Sequence, residues 1–239
     1  MKKLLVLLVT VTSVSAFARQ DKIIGDGNLK KEIREVSGFT GVFVSGNASV
    51  DLSYGDSKTI TVEADANILP YIETTVENGN LIVKTRSKVN ISTKNKIVVH
   101  ASLKQVARLR VSGSGNITGS GDFSNDSRTD IAVSGSGNIN MGINSFNETK
   151  INISGSGNVT VKGKSTNNID ATISGSGSID CAEVACNDVF AHVSGSGNIR
   201  VYANKSIDAK VSGSGNIYYK GAATNISLKS SGSGKIIKA

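Results

Sequence analysis

A short motif, Ser-Gly-Ser-Gly-Asn-Ile, recurs through the second half of the chain and constrains its fold more than any other feature. Seven copies, some with one substitution, begin at Ser112, Ser134, Ser154, Ser174, Ser194, Ser212 and Ser231. The steps between them are 22, 20, 20, 20, 18 and 19 residues. Self-similarity at such a period is typical of stacked repeat proteins, in which each unit contacts only its neighbours.

Apolar residues keep fixed positions within each repeat. Counted from the first Ser as position 0, positions −3, −1, +5 and +7 are mostly Val, Ile, Leu or Ala. The four positions share parity, so an extended chain points them to one face, and β-branched residues favour strands. A unit this short cannot bury that face alone, whereas parallel stacking forms one continuous core. The sequence therefore predicts an all-β fold, a parallel β-helix (β-solenoid) with coils of about 20 residues.

The polar residues of the motif are predicted to have structural roles. In stacked coils equivalent residues lie about 4.8 Å apart, so the Asn at position +4 would form a ladder of side-chain amides. The ladder residues are Asn116, Asn138, Asn158, Asn198 and Asn216. Position −4 alternates in charge through Arg108, Asp130, Lys150 and Asp170, which favours in-register stacking. The two glycines could point inward or could form a corner, and the sequence leaves both open.

The chain before the repeats divides into three parts. Residues 1–18 have the charged start, the short apolar run and the Ala-Phe-Ala end of a secretory signal peptide, so we expect cleavage between Ala18 and Arg19. Residues 19–36 form a polar lead-in segment. Residues 37–239 are interpreted as a single β-helical domain, irregular over 37–105 and regular over 106–239. No later apolar run is long enough to span a bilayer. We therefore expect an exported protein without a transmembrane segment, located in the periplasm, on the outer-membrane surface or outside the cell.

The charge of the chain is mildly basic. The formal net charge is +8, and removal of Lys2 and Lys3 with the signal peptide leaves +6. The basic residues are scattered along the sequence and do not alternate with aromatic residues, so no nucleic-acid partner is expected. A solvated surface with weak affinity for anionic glycans or envelope components fits this charge better.

Few residues in the sequence suggest a disulfide, a metal site or a catalytic role. Cys181 and Cys186 could be buried small hydrophobes or could form a disulfide across one turn. His100 and His192 are isolated in the sequence, so we expect no metal site, no catalytic residue and no cofactor. A carbohydrate-active enzyme, either a polysaccharide lyase or a hydrolase, is the alternative for a β-helix. Such an enzyme would require charged residues gathered in one groove, and the sequence offers no persuasive pair.

Several segments, in order, resemble one known family. They are Gly-Phe-Thr-Gly-Val-Phe-Val-Ser-Gly from Gly38, Val-Asp-Leu from Val50, Thr-Ile-Thr-Val-Glu from Thr59, Val-Glu-Asn-Gly-Asn-Leu from Val76, and the Ser-Gly repeats. This order is similar to that of the head GIN domain family of putative auto-transporter adhesins of bacterial envelopes.

The resemblance implies a secreted or surface-associated, non-enzymatic β-helix that acts as an adhesin or as an envelope binding or scaffold protein. Its partners would be a glycan, an envelope component or a host surface protein. It implies no residue-level ligand site. Exposed end coils would favour a homo-oligomer formed through the ends of the solenoid.

Overall fold

The computed structural model describes residues 22–56 and 58–239, and about three quarters of this part of the chain is β-strand. The strands before the repeats are β1 (Lys22–Ile24), β2 (Leu29–Glu35), β3 (Gly41–Gly46), β4 (Ser49–Tyr54), β5 (Thr59–Asp65), β6 (Ile72–Glu77), β7 (Asn80–Thr85), β8 (Asn90–Ser92) and β9 (Val98–Leu103). The remaining strands are β10 (Arg108–Gly113), β11 (Asn116–Gly135), β12 (Asn138–Gly155), β13 (Asn158–Lys162), β14 (Ser165–Gly175), β15 (Ser178–Gly195), β16 (Asn198–Gly213), β17 (Asn216–Lys220), β18 (Asn225–Gly232) and β19 (Ile236–Lys238). A 3-10 turn at Leu69–Tyr71 contains Pro70.

The repeats stack as parallel strands on two main walls. Wall A consists of positions −4 to +1 of each repeat, and wall B consists of positions +4 to +8. On wall A, Val111 pairs with Val133 and Val133 with Ile153. On wall B, Ile117 pairs with Ile139 and so on up the stack. A shorter third side carries pairs such as Ser165 with Ala185. The predicted β-solenoid is therefore confirmed, with about six turns.

The two motif glycines have different roles, and this answers the question that the sequence left open. The first glycine of each copy has a positive φ, as at Gly155 (123°) and Gly175 (130°), and turns the chain from wall A to wall B. The second glycine is buried and faces the core. A Cβ on Gly157 would lie 2.2 Å from the carbonyl oxygen of Gly137 and 2.5 Å from Cγ1 of Val133. No side chain larger than hydrogen fits there without displacement of the coil beneath.

The core includes one position that the sequence argument overlooked. Positions −3, −1, +5 and +7 are buried, as expected, in the five motif copies that begin at residues 134 to 212. Position −5 is buried as well, and it is occupied by Thr129, Thr149, Ile169, Val189 and Ile207. The hydroxyl of Thr129 donates a hydrogen bond to the carbonyl oxygen of Val106 at 2.9 Å, which satisfies this polar group inside the solenoid.

The strands before the repeats form two further coils and close one end. Strands β3 and β4 flank Ser45-Gly46-Asn47, a degenerate copy of the motif, and Ser45 pairs with Ser112. Strands β7 and β9 come later in the chain but lie on the opposite side of β3 and β4. Antiparallel strands then complete this end: β6 pairs with β7, β5 with β9, and β2 with β5. Asn78 and Gly79, both with positive φ, form the hairpin turn between β6 and β7.

Candidate binding surfaces

The asparagine column follows the corner between wall A and wall B. The side-chain nitrogen of Asn138 donates to Oδ1 of Asn116 at 2.9 Å, and that of Asn158 donates to Oδ1 of Asn138 at 2.8 Å. Higher in the stack, Asn216 donates to Asn198 at 3.2 Å. Ser178 occupies the ladder position between Asn158 and Asn198 and interrupts the column. These amides bond one coil to the next, so much of their hydrogen-bonding capacity is used within the protein.

Small polar side chains cover the outside of wall A. A shallow groove runs across four coils, lined by Arg110, Ser112, Ser134, Asn152, Ser154, Thr172 and Ser174, with Ala132, Val133 and Ile153 at its base. The motif Ser at position 0 is exposed in every coil of the array. The groove contains one charged group, the Arg110 guanidinium, which lies 5.2 Å from the centre of the Phe43 ring. This wall therefore offers hydroxyl and amide groups at a regular spacing.

The charged column at position −4 of wall A stacks in register. Arg108 pairs with Asp130, Asp130 with Lys150, and Lys150 with Asp170. Lys150 Nζ lies 3.3 Å from Asp170 Oδ2. The Asp130 carboxylate also accepts a hydrogen bond from Arg128 at 2.8 Å, which raises the pKa of that guanidinium. These carboxylates are engaged by neighbouring cations and lie on an open surface.

His100 is isolated in the sequence, but in the structure it lies between two carboxylates. Its Nδ1 is 3.7 Å from Asp51 Oδ2, and its Nε2 is 3.7 Å from Glu63 Oε2. The three residues are far apart in sequence and meet because β4, β9 and β5 are neighbours. Asp51 also accepts a hydrogen bond from Thr118, and Glu63 pairs with Lys31. His100 and Asp51 are about half exposed and Glu63 is mostly buried, and the cluster joins neighbouring strands on the outside of wall B.

In this structure the two cysteines are buried thiols that are not bonded to each other. Cys181 lies on wall B beside Val161, whereas Cys186 lies on the third side between Thr166 and Ala203. The two thiols therefore enter the core from different sides. Burial raises the pKa of the Cys181 thiol and raises that of Cys186 to about 12. Cys186 Sγ donates to the carbonyl oxygen of Asp188 at 3.1 Å. Neutral thiols of this kind are poor nucleophiles.

Asp65, at the end of β5, is a fully buried carboxylate that sequence reasoning missed. It accepts hydrogen bonds from the backbone nitrogen of Lys94 at 2.8 Å and from the side chain of Asn95 at 2.6 Å. Burial acts to raise the pKa of Asp65, but these hydrogen bonds outweigh it and hold the pKa below the ordinary value. Asp65 therefore fastens the loop before β9 to the closed end of the solenoid.

Basic residues gather at the end of the stack formed by the last coils, so the expectation of scattered cations without aromatic neighbours is wrong. Residues 198–239 contain seven Lys or Arg and one acidic residue, Asp208. Residues 22–197 contain 17 residues of each sign. On wall B, the Arg200 guanidinium lies 5.4 Å from the centre of the Tyr218 ring, and Lys220 Nζ lies 5.1 Å from that of Tyr202. Counting charges over the whole chain hid this asymmetry.

The signal peptide and the membrane-spanning segments are the two features that bear on export. The predicted cleavage residues Ala18 and Arg19 lie outside the described residues. Within 22–56 and 58–239, no helix has the length and apolar character to span a bilayer.

Comparison with known proteins agrees with the segment order described above. The family described as putative auto-transporter adhesin, head GIN domain, matches residues 38–223. A putative adhesin from Bacteroides fragilis superposes with a TM-score of 0.81 at 21% identity, covering 91% of this chain and 100% of that one.

Two structures from Parabacteroides distasonis are also similar, each covering 92% of this chain and 100% of its own. One is a putative adhesin (TM-score 0.79, 23% identity) and the other a putative lipid binding protein (TM-score 0.72, 24% identity). Comparison with curated protein sequences gave no match. The structural likenesses confirm the fold, and the match over residues 38–223 shows that the chain belongs to the family of putative auto-transporter adhesins with a head GIN domain.

Proposed function

We propose that this protein is an exported, non-catalytic β-solenoid that binds a component of the cell envelope or of a host surface, as an adhesin or as an envelope scaffold. The observation that carries the proposal is the outer side of wall A. It presents exposed Ser at the same position of every coil, with Asn and Thr beside it in the groove. Family membership supports the same role.

The spacing of this wall suits a repetitive polar ligand. Equivalent hydroxyl groups on successive coils lie about 4.8 Å apart. A single hydroxyl contributes little to affinity, since it exchanges hydrogen bonds with water for hydrogen bonds with the ligand. Many such contacts along one polymer act together, because binding at one coil raises the effective concentration at the next. A glycan chain has both the polarity and the repeat that this arrangement favours.

The ion pairs and hydrogen bonds of four carboxylates, those of Asp51, Glu63, Asp130 and Asp170, favour a structural role for these groups. Glycoside hydrolysis uses two carboxyl groups that face each other across the scissile bond. Here Asp130 and Asp170 belong to an ion-paired column on an open wall, and Asp51 and Glu63 contact His100, Thr118 and Lys31. These residues join neighbouring strands, and the groove on wall A is lined mainly by hydroxyl and amide groups.

Lipid is one class of envelope component that such a protein could meet, since one similar structure is described as a putative lipid binding protein. That likeness, at 24% identity, concerns the fold. A lipid site in this chain therefore has to be argued from its own side chains.

Protease shaving of intact source cells tests the proposed location. The protein is followed by immunoblot beside a periplasmic control protein. Loss of the protein while the control survives would support a surface adhesin and would justify binding assays on glycans and host proteins. Survival of both would exclude the surface adhesin and leave a periplasmic envelope scaffold. Recovery of the protein in the cytoplasm would overturn the proposal.

A further inference from the structure

We propose that the C-terminal coils of the solenoid dock on an anionic lipid bilayer. The proposed contact surface, called the basic end here, is formed by the last two coils, with Lys229 on wall A and Tyr218, Lys220, Lys235, Ile237 and Lys238 on wall B. The inference deepens the proposed envelope role and rests on it, because it names the envelope component that one part of the molecule contacts.

The distribution of charge is the first argument. The part of the chain over residues 22–197 is electrically balanced, so the excess of +6 among the described residues belongs entirely to residues 198–239. In this stretch Arg200 lies 4.0 Å from Asp180, and Lys210 lies 3.4 Å from Asp208. Throughout the described chain, no carboxylate lies within ion-pair distance of Lys229, Lys235 or Lys238. The basic end therefore presents several cations without internal counter-charges.

The stacking of these cations is the second argument. On wall A of the earlier coils, the signs alternate from Arg108 to Asp170, so that each charge faces an opposite one. At the basic end, Lys210 is in register with Lys229, which places two like charges on adjacent strands. Like charges directly opposite each other destabilise a sheet. Asp208 offsets the charge of Lys210, so Lys229 carries the cation that an anionic surface outside the protein would attract.

Exposed apolar side chains at the same end distinguish a lipid surface from a soluble polyanion. Ile237 is 37% exposed and lies next to Tyr218 in the stack. Ile226 and Leu228 of β18 are 43% and 41% exposed. A hydrophilic polymer gains nothing from aliphatic side chains, whereas a bilayer accepts them below its headgroups.

The combination of side chains matches the layers of a bilayer. Tyr favours the headgroup region, where its ring is buried and its hydroxyl stays hydrated. Lysine reaches from an apolar contact to the phosphate layer through its flexible stem. Arg200 and Lys220 are held beside the rings of Tyr218 and Tyr202, so they lose less side-chain freedom when they bind phosphate. Electrostatic attraction and shallow aliphatic insertion then act together.

Co-sedimentation of the purified mature protein with vesicles tests the inference. The vesicles contain phosphatidylcholine alone, or phosphatidylcholine with phosphatidylglycerol as the minority component. We expect binding to the anionic vesicles, little binding to the neutral ones, and weaker binding as salt is added, because salt screens the attraction.

Two matched triple variants distinguish a specific effect of the basic end from a general effect of the net charge on vesicle binding. The test variant carries Lys229→Gln, Lys235→Gln and Lys238→Gln. The control variant carries Lys30→Gln, Lys58→Gln and Lys96→Gln, which are exposed lysines in the balanced part of the chain. Each lysine near an anionic surface contributes about a fivefold change in affinity, so the test variant should lose on the order of a hundredfold and the control very little. Equal loss in both variants would overturn the site.

Replacement of one exposed apolar residue distinguishes binding to a lipid surface from binding to a soluble polyanion. Ile237→Asn should weaken vesicle binding several-fold, whereas Ile33→Asn, at a 72% exposed position of β2, should not. Heparin serves as a soluble polyanion. Binding of heparin that is as tight as vesicle binding, together with no effect of Ile237→Asn, would overturn the lipid inference in favour of a polyanion site.

The outcomes also distinguish this inference from the proposed function. Surface exposure in the shaving experiment, with no binding to anionic vesicles, would overturn the lipid inference and leave the adhesin proposal intact. Lipid binding by a protein that is found in the cytoplasm would overturn the envelope role instead. Circular dichroism melting curves for all variants show whether any loss of binding comes from unfolding.

Discussion

Gly157 packs against the side chain of Val133 in the coil beneath, and a methyl group at Gly157 would come within 2.5 Å of Cγ1 of that valine. The same contact recurs in the other coils between the second motif glycine and the β-branched residue of the coil beneath. The repeat therefore keeps glycine here because the neighbouring coil already fills the space.

Gly157→Ala should lower the stability of the solenoid. The added methyl group has to displace the Gly137 carbonyl or the Val133 side chain, and overpacking of this kind typically costs about 1–3 kcal/mol. Urea denaturation followed by circular dichroism measures the effect. Ser156→Ala, at an exposed neighbouring position, is the control and should change the midpoint little. A Gly157→Ala protein as stable as the control would contradict the packing described for this position.

Ser178→Asn should stabilise the protein. An asparagine at this position would connect Asn158 with Asn198 and complete the interrupted column, and each new hydrogen bond is worth about 0.5–1.5 kcal/mol. Asn138→Ala should have the opposite effect, because Asn138 both donates to Asn116 and accepts from Asn158. Thermal melting of both variants measures whether stability rises or falls as expected. Asn140→Ala, which removes an exposed amide, is the control. A destabilising Ser178→Asn would show that the ladder geometry does not extend through this coil.

Cys181 and Cys186 should be unreactive in the folded protein. The pKa of Cys186 is raised to about 12 and that of Cys181 is also raised, so both groups are protonated thiols at neutral pH and lack the reactive thiolate. Ellman's reagent should detect no free thiol in native protein and two after denaturation. Two reactive thiols in the native state would contradict their burial. No thiol after denaturation under non-reducing conditions would mean that the cysteines are bonded to each other.

Asp65→Asn should lower the stability of the protein at neutral pH. It should also make the stability change less as the pH falls into the acid range. Because the pKa of Asp65 in the folded state is below the ordinary 3.8, its contribution is present above that value and is lost as the pH falls below it. Weakening its hydrogen bonds to Lys94 and Asn95 should cost about 1–3 kcal/mol. Unfolding midpoints measured from neutral to strongly acidic pH should converge for the wild type and the variant at the acid end. Glu35→Gln, which changes an exposed carboxylate on β2, is the control. If the unfolding midpoints of Asp65→Asn and Glu35→Gln changed with pH in the same way, the stabilising role of the ionised Asp65 would be refuted.

The regular half of the fold was predictable because every coil repeats one set of physical requirements. Parity placed residues such as Val133 and Ile139 on the inside, and the motif spacing set the register. Thr129 escaped notice because a polar residue at position −5 gives no apolar signal, although Ile207 at the same position does.

The first part of the fold was less predictable because its strands stack out of chain order. Nothing in the pattern of β7 and β9 shows that they lie beyond β3 and β4, and this placement brings Asp51, Glu63 and His100 together. The basic end is different, since its seven cations can be counted directly in residues 198–239. A charge total for the whole chain conceals such a segment.

The position of β3 and β4 has a consequence for how the molecule assembles. They are the first coil in the sequence, yet they contact coils on both sides, with β7 and β9 on one and β10 and β11 on the other. In a stacked protein each coil is held by its neighbours. The β3–β4 coil therefore has two coil–coil interfaces to form, whereas the last coil has one. Substitutions that destabilise β3 or β4 weaken both of these interfaces, whereas substitutions in the last coil weaken a single one.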